Sequence, residues 1–306
     1  VKNGLEVRAN SVVQSISVDN SGKLKGVVYL DDKGVQYFQE AGKVIVACNG
    51  IGTPRLLLNS KSKAFPEGLA NSSGLVGKNL MFHPYAAVSG IFDEDDLNYS
   101  LGPLANIIIV QEFYETDESR NFVRGYSFQM NRSHGPAHTA LGAGGAGKII
   151  PWGKDHHSEF KKRFKKFLGL AVISEDLPEL HNRVELDEKL TDRHGIPLPK
   201  VFYKTSENTR KLLDHGIGSA KKLLEEAGCY ETNVVPTLES AGWHLMGTAK
   251  MGNDPKTSVV DANCKTHDVD NLYIIDGSVF TTSAAVNPTP TIQAVALRAA
   301  DKILQG

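Results

Sequence analysis

Hydrophobic and polar positions alternate from the start of the chain. Leu5 and Val7 alternate with polar neighbours, residues 12–18 continue the two-residue period, and Asp19-Asn20-Ser21-Gly22 breaks it with a turn. Two more such runs, 25–30 and 35–38, flank Asp31-Asp32-Lys33-Gly34, so the opening predicts a small antiparallel meander. Residues 43–48 are almost wholly apolar and predict a strand buried on both faces, stopping at Asn49-Gly50. A helix is expected next, with Thr53 as N-cap and Pro54 in its first position.

The pattern then changes twice. Residues 106–113, 122–130, 167–174 and 182–187 read as strands, with a Gly/His/Ala-rich loop at 133–148 and a turn at 192–197. Leu212, Leu213, Ile217, Ala220, Leu224 and Ala227 recur at three- and four-residue steps, marking a long amphipathic helix that ends at Gly228. Long strands followed by one long helix predict an antiparallel sheet with a helix on one side. After Pro236 the chain is punctuated by glycines at 247–252, and 272–277 reads as a short buried strand ending in Asp-Gly. Ile292, Val295, Ala296, Ala299, Ala300 and Ile303 form one stripe of a last helix, 291 to about 304. These changes divide the chain into 1–80, 81–236 and 237–306.

Composition narrows the partners. With 34 basic against 35 acidic residues the formal net charge is -1, which gives no reason to expect nucleic acid or an anionic membrane. The basic run Lys161-Lys162-Arg163-Phe164-Lys165-Lys166 reads as a solvated face. Cys48, Cys229 and Cys264 are too scattered for a zinc site, a redox pair or a disulfide framework, so a reducing compartment is favoured. The apolar runs are too short to span a bilayer, so a soluble protein, cytoplasmic or periplasmic, is expected.

Candidate chemistry gathers at strand ends and in the last third. Cys48-Asn49-Gly50 and Asp276-Gly277-Ser278 each end an apolar strand, where ligands of α/β sheets sit; their glycines let backbone approach a phosphate or ribose. Taken alone, a strand ending in Asp-Gly is more often just a turn. His244, between small residues and Trp243, is expected to be partly desolvated and so neutral near pH 7, as a general base for a hydroxyl must be. By itself it also reads as a hydrogen-bonded structural histidine. Asn287 precedes the last helix and can donate to a substrate oxygen or act as a cap.

The stretch 242–252, then Ser258-Val259-Val260-Asp261, 271–278 and Asn287-Pro288-Thr289-Pro290-Thr291-Ile292 resemble the C-terminal signature of the glucose–methanol–choline (GMC) oxidoreductase family. Residues 44–58, with Gly52-Thr53-Pro54-Arg55, and 74–80 with His83 resemble that family's upstream stretches, in the same order. The flavour is similar to sugar and polyol dehydrogenases, from 47–52 and Asn182-Arg183-Val184.

The resemblance implies a mixed class, α/β plus α+β: an incomplete Rossmann-like FAD-binding domain at 1–80, to which 237–306 returns with the catalytic residues, and an antiparallel-sheet substrate domain at 81–236. It implies FAD as cofactor, a small-molecule alcohol as substrate, and no metal; the electron acceptor stays open. His244 matches the catalytic histidine and Asn287 its partner. Asp276 and Gly277 match the turn near the FAD diphosphate and ribityl chain, Asn287, Pro288 and Thr289 residues near the flavin ring, and Val13 a valine facing the adenine. Cys48-Asn49-Gly50 departs from the Ala-Gly found in many members. The implied reaction has His244 accepting the hydroxyl proton, His244 and Asn287 holding the alkoxide, and hydride passing to flavin N5.

The family's N-terminal Gly-x-Gly-x-x-Gly turn is not found at a strand-to-helix junction; Gly142-Ala143-Gly144-Gly145-Ala146-Gly147 fits only the bare spacing. A piece of a longer enzyme that binds FAD poorly alone is therefore expected. The alternatives are a catalytically inactive interaction module and a non-redox lyase on the same fold.

Overall fold

In a computed structural model that describes residues 4–93, 108–132, 135–142, 149–238 and 242–305, the alternating runs form the expected meander. Strands β1 (Val12–Val18), β2 (Leu24–Leu30) and β3 (Gln36–Glu40) pair antiparallel in that order. Asp19 and Asp31 close the two turns, each accepting the backbone N–H groups two and four residues ahead. Leu5 and Val7 do not join the sheet and are 63% and 70% exposed, because the chain turns at Asn10 (φ 52°) before β1 begins.

Strand β4 is only Val44–Val46 and pairs in parallel with β12 (Leu272–Ile274), Val44 opposite Leu272. Burial on both faces is not found: Val46 is buried but Ile45 is 50% exposed, since this two-stranded pair is covered on one side only. Helix α1 (Asn49–Asn59) starts four residues ahead of Thr53. Asn49, at φ 66°, does the capping, its Oδ1 accepting from the N–H groups of Ile51 and Gly52. Pro54 therefore lies inside the helix, not at its first position. The Gly50 carbonyl that its missing N–H would leave unpaired accepts instead from Thr248 Oγ1 at 2.8 Å. Thr53 is freed from capping and used elsewhere.

The middle of the chain builds a five-stranded antiparallel sheet. It comprises β5 (Tyr85–Ile91), β6 (Ile109–Val110), β7 (Tyr126–Arg132), β8 (Phe167–Ser174) and β11 (Glu231–Val235), in the order β11-β5-β8-β7-β6. Helices α2 (Pro136–Leu141) and α3 (His156–Arg163) precede β8. The basic run at the end of α3 is partly internal: Lys162 and Arg163 pair with Glu159, and Arg163 also reaches Glu231. Hairpin β9 (Arg183–Thr191) and β10 (Pro197–Phe202) is pinned to α1 by Arg55, which donates to Asp192 and to the carbonyls of Ile196 and Pro197.

Helix α4 (Glu207–Glu226) starts at Ser206, whose hydroxyl accepts from the Thr209 N–H, and covers one face of the five-stranded sheet. Its Leu212, Leu213, Ala220 and Leu224 share a core with Val88, Tyr126, Phe128 and Val172. A separate core joins the two ends of the chain, with Ile16, Val46 and Leu57 beside Leu272, Ile274 and Ala299. Helix α5 (Thr289–Gln305) is less buried than its stripe predicts. Ala299 is buried, Ile292, Val295, Ala296 and Ile303 are half-buried, and Ala300 is exposed. Parts of the expected strand at 106–113, of the loop at 133–148 and of the glycine run at 142–147 lie outside the described residues. No described helix is long and apolar enough to cross a membrane.

Candidate active site

His244 stands on a left-handed backbone position, φ 62°, which for a side-chain-bearing residue costs of order 1–3 kcal/mol and needs support from its surroundings. That support comes from both ends of the chain. Met246 exchanges backbone hydrogen bonds with Met81 at 3.0 and 3.1 Å, and the Gly247 N–H donates to the Gly277 carbonyl. Gly50 and Gly277 close on the residue after the histidine. A Cβ on Gly50 would lie 2.7 Å from the Leu245 carbonyl carbon, and one on Gly277 2.7 Å from the Leu245 oxygen. Their lack of a side chain thus serves the packing of the His244 segment.

The imidazole of His244 is half-buried and bonded through both nitrogens. Nε2 lies 3.3 Å from Asn287 Nδ2, and Nδ1 lies 2.6 Å from Nδ1 of His83. The two histidine rings meet edge-on, 69° apart, and His83, 1% exposed, places its Nε2 3.1 Å from the Ser283 carbonyl. Asn287 is held from the sheet: Gln129 Nε2 donates to its Oδ1 at 2.7 Å. Two residues earlier on the same face of β7, Ser127 donates to the Ala285 carbonyl at 2.6 Å. Trp243 is half exposed and stands edge-on to Tyr85.

Burial lowers the pKa of His244 from its ordinary 6.5. Burial, then the neighbouring His244, push His83 down to about 4. Behind them, burial pushes the Asp176 carboxyl up to about 6, although it accepts from Tyr203 Oη, the Phe82 and Leu177 N–H groups and Thr209 Oγ1. Both histidines are therefore neutral at pH 7, and His244 has the protonation state that a base needs.

The two strand ends meet at Asp276. Its Oδ2 accepts from the Cys48 N–H at 2.8 Å and from Thr53 Oγ1 at 2.6 Å, and its Oδ1 from the Ser278 N–H at 2.8 Å. Cys48, Asn49, Gly50, Asp276 and Gly277 are thus brought together at the carboxyl ends of the parallel pair β4 and β12. Pro288 and Thr289 follow Asn287 at the start of α5, whose first turn carries no acidic side chain. Val13 is not part of this cluster; it is 42% exposed on β1, beside Ser11, Val27, Tyr29 and Gln39. His83, Gln129 and Ser127 are the partners that sequence reasoning left without a role. A histidine after the buried pair Met81-Phe82 and two polar residues on the inward face of an apolar strand were the available signals. Among the described residues, no three His, Cys, Asp or Glu side chains come together as a metal ion needs.

Comparison with known proteins gives the family. Residues 1–85 and 178–296 match the N- and C-terminal models of the GMC oxidoreductases. The chain is 41% identical to 2-methyl-1,2-propanediol dehydrogenase of Mycolicibacterium austroafricanum over 98% of its own length and 54% of that protein's. It is 30% identical to the fructose dehydrogenase large subunit of Gluconobacter japonicus, over 99% of its length and 54% of that protein's. The chain thus spans about half the length of these curated relatives. Among solved structures, pyridoxine 4-oxidase from Mesorbium loti has the same fold, with a TM-score of 0.67 and 15% identity over 97% of this chain and 57% of that one. By its matched segments and its fold, this chain belongs to the GMC oxidoreductase family.

Proposed function

We propose that this chain carries the catalytic half of an FAD-dependent enzyme that oxidises a small alcohol, a polyol or sugar, to the carbonyl. The observation that supports this reading most is the junction of His244 Nε2 with Asn287 Nδ2, supported from both sides. The name of the 41% identical relative, a diol dehydrogenase, makes short vicinal diols the first substrates to try.

The residues present suit a flavin. The first turn of α5 lies beside Asn287 and carries no carboxylate, and its positive end favours the charge that a reduced flavin ring carries. Asn287, Pro288 and Thr289 would lie along the ring, and Asp276, Gly277 and Cys48–Gly50 would hold the ribityl and diphosphate portion, with Val13 toward the adenine. FAD, when bound, supplies the two-electron acceptor for the hydride that leaves the carbinol carbon. In the proposed mechanism, His244 Nε2 takes the hydroxyl proton. Asn287 Nδ2–H donates to the developing alkoxide, and the fixed geometry of both groups orients the carbinol hydrogen. Residues 1–80 and 237–306 form the cofactor side in this reading, and 81–236 the substrate side.

The test is spectroscopic. The full-length gene product is purified, its flavin identified after denaturation, and its visible bands followed anaerobically with a series of diols, sugar alcohols and sugars. Bleaching by at least one of them, with the carbonyl product recovered, supports the proposal; FAD bound but unreduced by every alcohol, or no flavin at all, contradicts it.

A further inference from the structure

We propose that His83 is a positioning residue that fixes the tautomer of His244, leaving Nε2 as the bare, proton-accepting nitrogen on the substrate side. This rests on the proposed reading of His244 as the base, and it adds how that base acquires the right form.

The argument starts from one acceptor whose role has no ambiguity. A backbone carbonyl can only accept, so the nitrogen 3.1 Å from the Ser283 oxygen, His83 Nε2, must carry a hydrogen. His83 is neutral at pH 7, so its Nδ1 has no hydrogen and presents a lone pair. That lone pair lies 2.6 Å from His244 Nδ1, a distance that requires a hydrogen between them, and only His244 can supply it. A neutral His244 with hydrogen on Nδ1 has none on Nε2. The lone pair of Nε2 then faces Asn287, whose Nδ2–H donates to it at 3.3 Å. This turns Asn287 Oδ1 the other way, toward Gln129 Nε2, where a donor is found at 2.7 Å.

One carbonyl thus sets the direction of four successive hydrogen bonds, from Gln129 through Asn287, His244 and His83 to Ser283. The anchor is itself held: the Asp176 N–H donates to Ser283 Oγ at 2.7 Å, and Ser283 Oγ returns a bond to the Asp176 carbonyl at 3.2 Å. The link between Asn287 and His244 is the exposed one and the longest of the four, so an incoming hydroxyl can replace it at least cost. With the opposite tautomer of His244, both Nδ1 atoms would offer lone pairs to each other at 2.6 Å, and Nε2–H would point at the substrate as a donor. Such an imidazole cannot take a proton at that face.

The experiment is nitrogen NMR of the full-length gene product labelled with 15N-histidine, at pH above 7. The His244 signals are identified by their absence in His244→Gln. The expected spectrum shows His244 with a protonated Nδ1 and a bare Nε2. In His83→Leu, His244 should move toward the Nε2–H form, and kcat should fall about ten-fold or more with a smaller change in KM. His83→Asn, whose side-chain oxygen can accept near the position of Nδ1, should restore the Nδ1–H signature and most of the rate. A wild-type His244 protonated on Nε2 overturns the proposal, even if His83→Leu does not fold. So does an unchanged His244 spectrum in a folded His83→Leu. If the tautomer is as stated but His244→Gln reduces flavin at the wild-type rate, the base assignment fails while the role of His83 in setting the tautomer stands.

Discussion

Gln129 Nε2 donates to Asn287 Oδ1 across 2.7 Å, tying the five-stranded sheet to the loop before α5. The two residues are 158 positions apart, and through this bond the middle of the chain orients a side chain that belongs to its end. Replacing Gln129 by Leu should free Asn287 to rotate. One lost hydrogen bond is worth about 0.5–1.5 kcal/mol, so kcat/KM is expected to fall roughly 3- to 10-fold with little change in flavin content. Steady-state kinetics beside flavin absorbance checks this; an unchanged kcat/KM speaks against Asn287 acting from a fixed position.

The pKa of His244 is lowered by burial, so the imidazole stays neutral to a pH below 6.5. The activity of a neutral base is lost when it is protonated. A profile of kcat/KM against pH should therefore be level near neutrality and fall on the acid side, with a midpoint below 6.5. A midpoint above 6.5 is the contrary result.

Two buried groups behind the site titrate in opposite senses. The folded-state pKa of His83 is about 4 against 6.5, so the folded chain binds fewer protons between these values, and its stability falls as the pH drops through that window. The pKa of Asp176 is about 6 against 3.8, so the folded chain binds more protons there, and stability falls as the pH rises through that window. At about 1.4 kcal/mol per pKa unit each effect is about 3 kcal/mol, and over about pH 4–6 they largely cancel. Asp176→Asn should make stability fall more steeply on acidification than in the wild type, and His83→Leu should tilt it the other way. Denaturant melts across this range measure both slopes.

A methyl group on Gly50 would press into the Leu245 backbone at 2.7 Å. Gly50→Ala should cost about 1–3 kcal/mol and lower activity by displacing the His244 segment. Gly42→Ala, where a Cβ meets nothing within 4 Å, serves as the control and should leave the melting temperature unchanged to within about a degree. Equal melting shifts for the two variants would remove the packing argument.

Much of this was legible in the sequence because it depends on local periodicity. The meander, strands β7 to β9 and α4 follow from two-residue and three-to-four-residue repeats, whereas strands β5, β10 and β11 were not expected from them. The start of α1 was misplaced because Thr53-Pro54 is a strong local signal for a helix start, whereas its actual use is tertiary: Thr53 bonds Asp276, 223 residues away, and Thr248 serves the carbonyl opposite Pro54. The exposure of Ile45 and Ala300 likewise depends on what packs over them, which no periodicity records. His244 and Asn287 were found as residues of a motif. Their partners His83 and Gln129 come from distant segments, and only folding brings them within hydrogen-bonding reach.

The central claim is that His244 is the base, and transient kinetics tests it most directly. The reduction of flavin by a saturating alcohol is followed by stopped flow in the full-length gene product and in His244→Ala. The account predicts that the variant keeps its flavin and its melting temperature while the reduction rate falls about 10²- to 10⁴-fold. Reduction at the wild-type rate in a folded, flavin-loaded His244→Ala would contradict it.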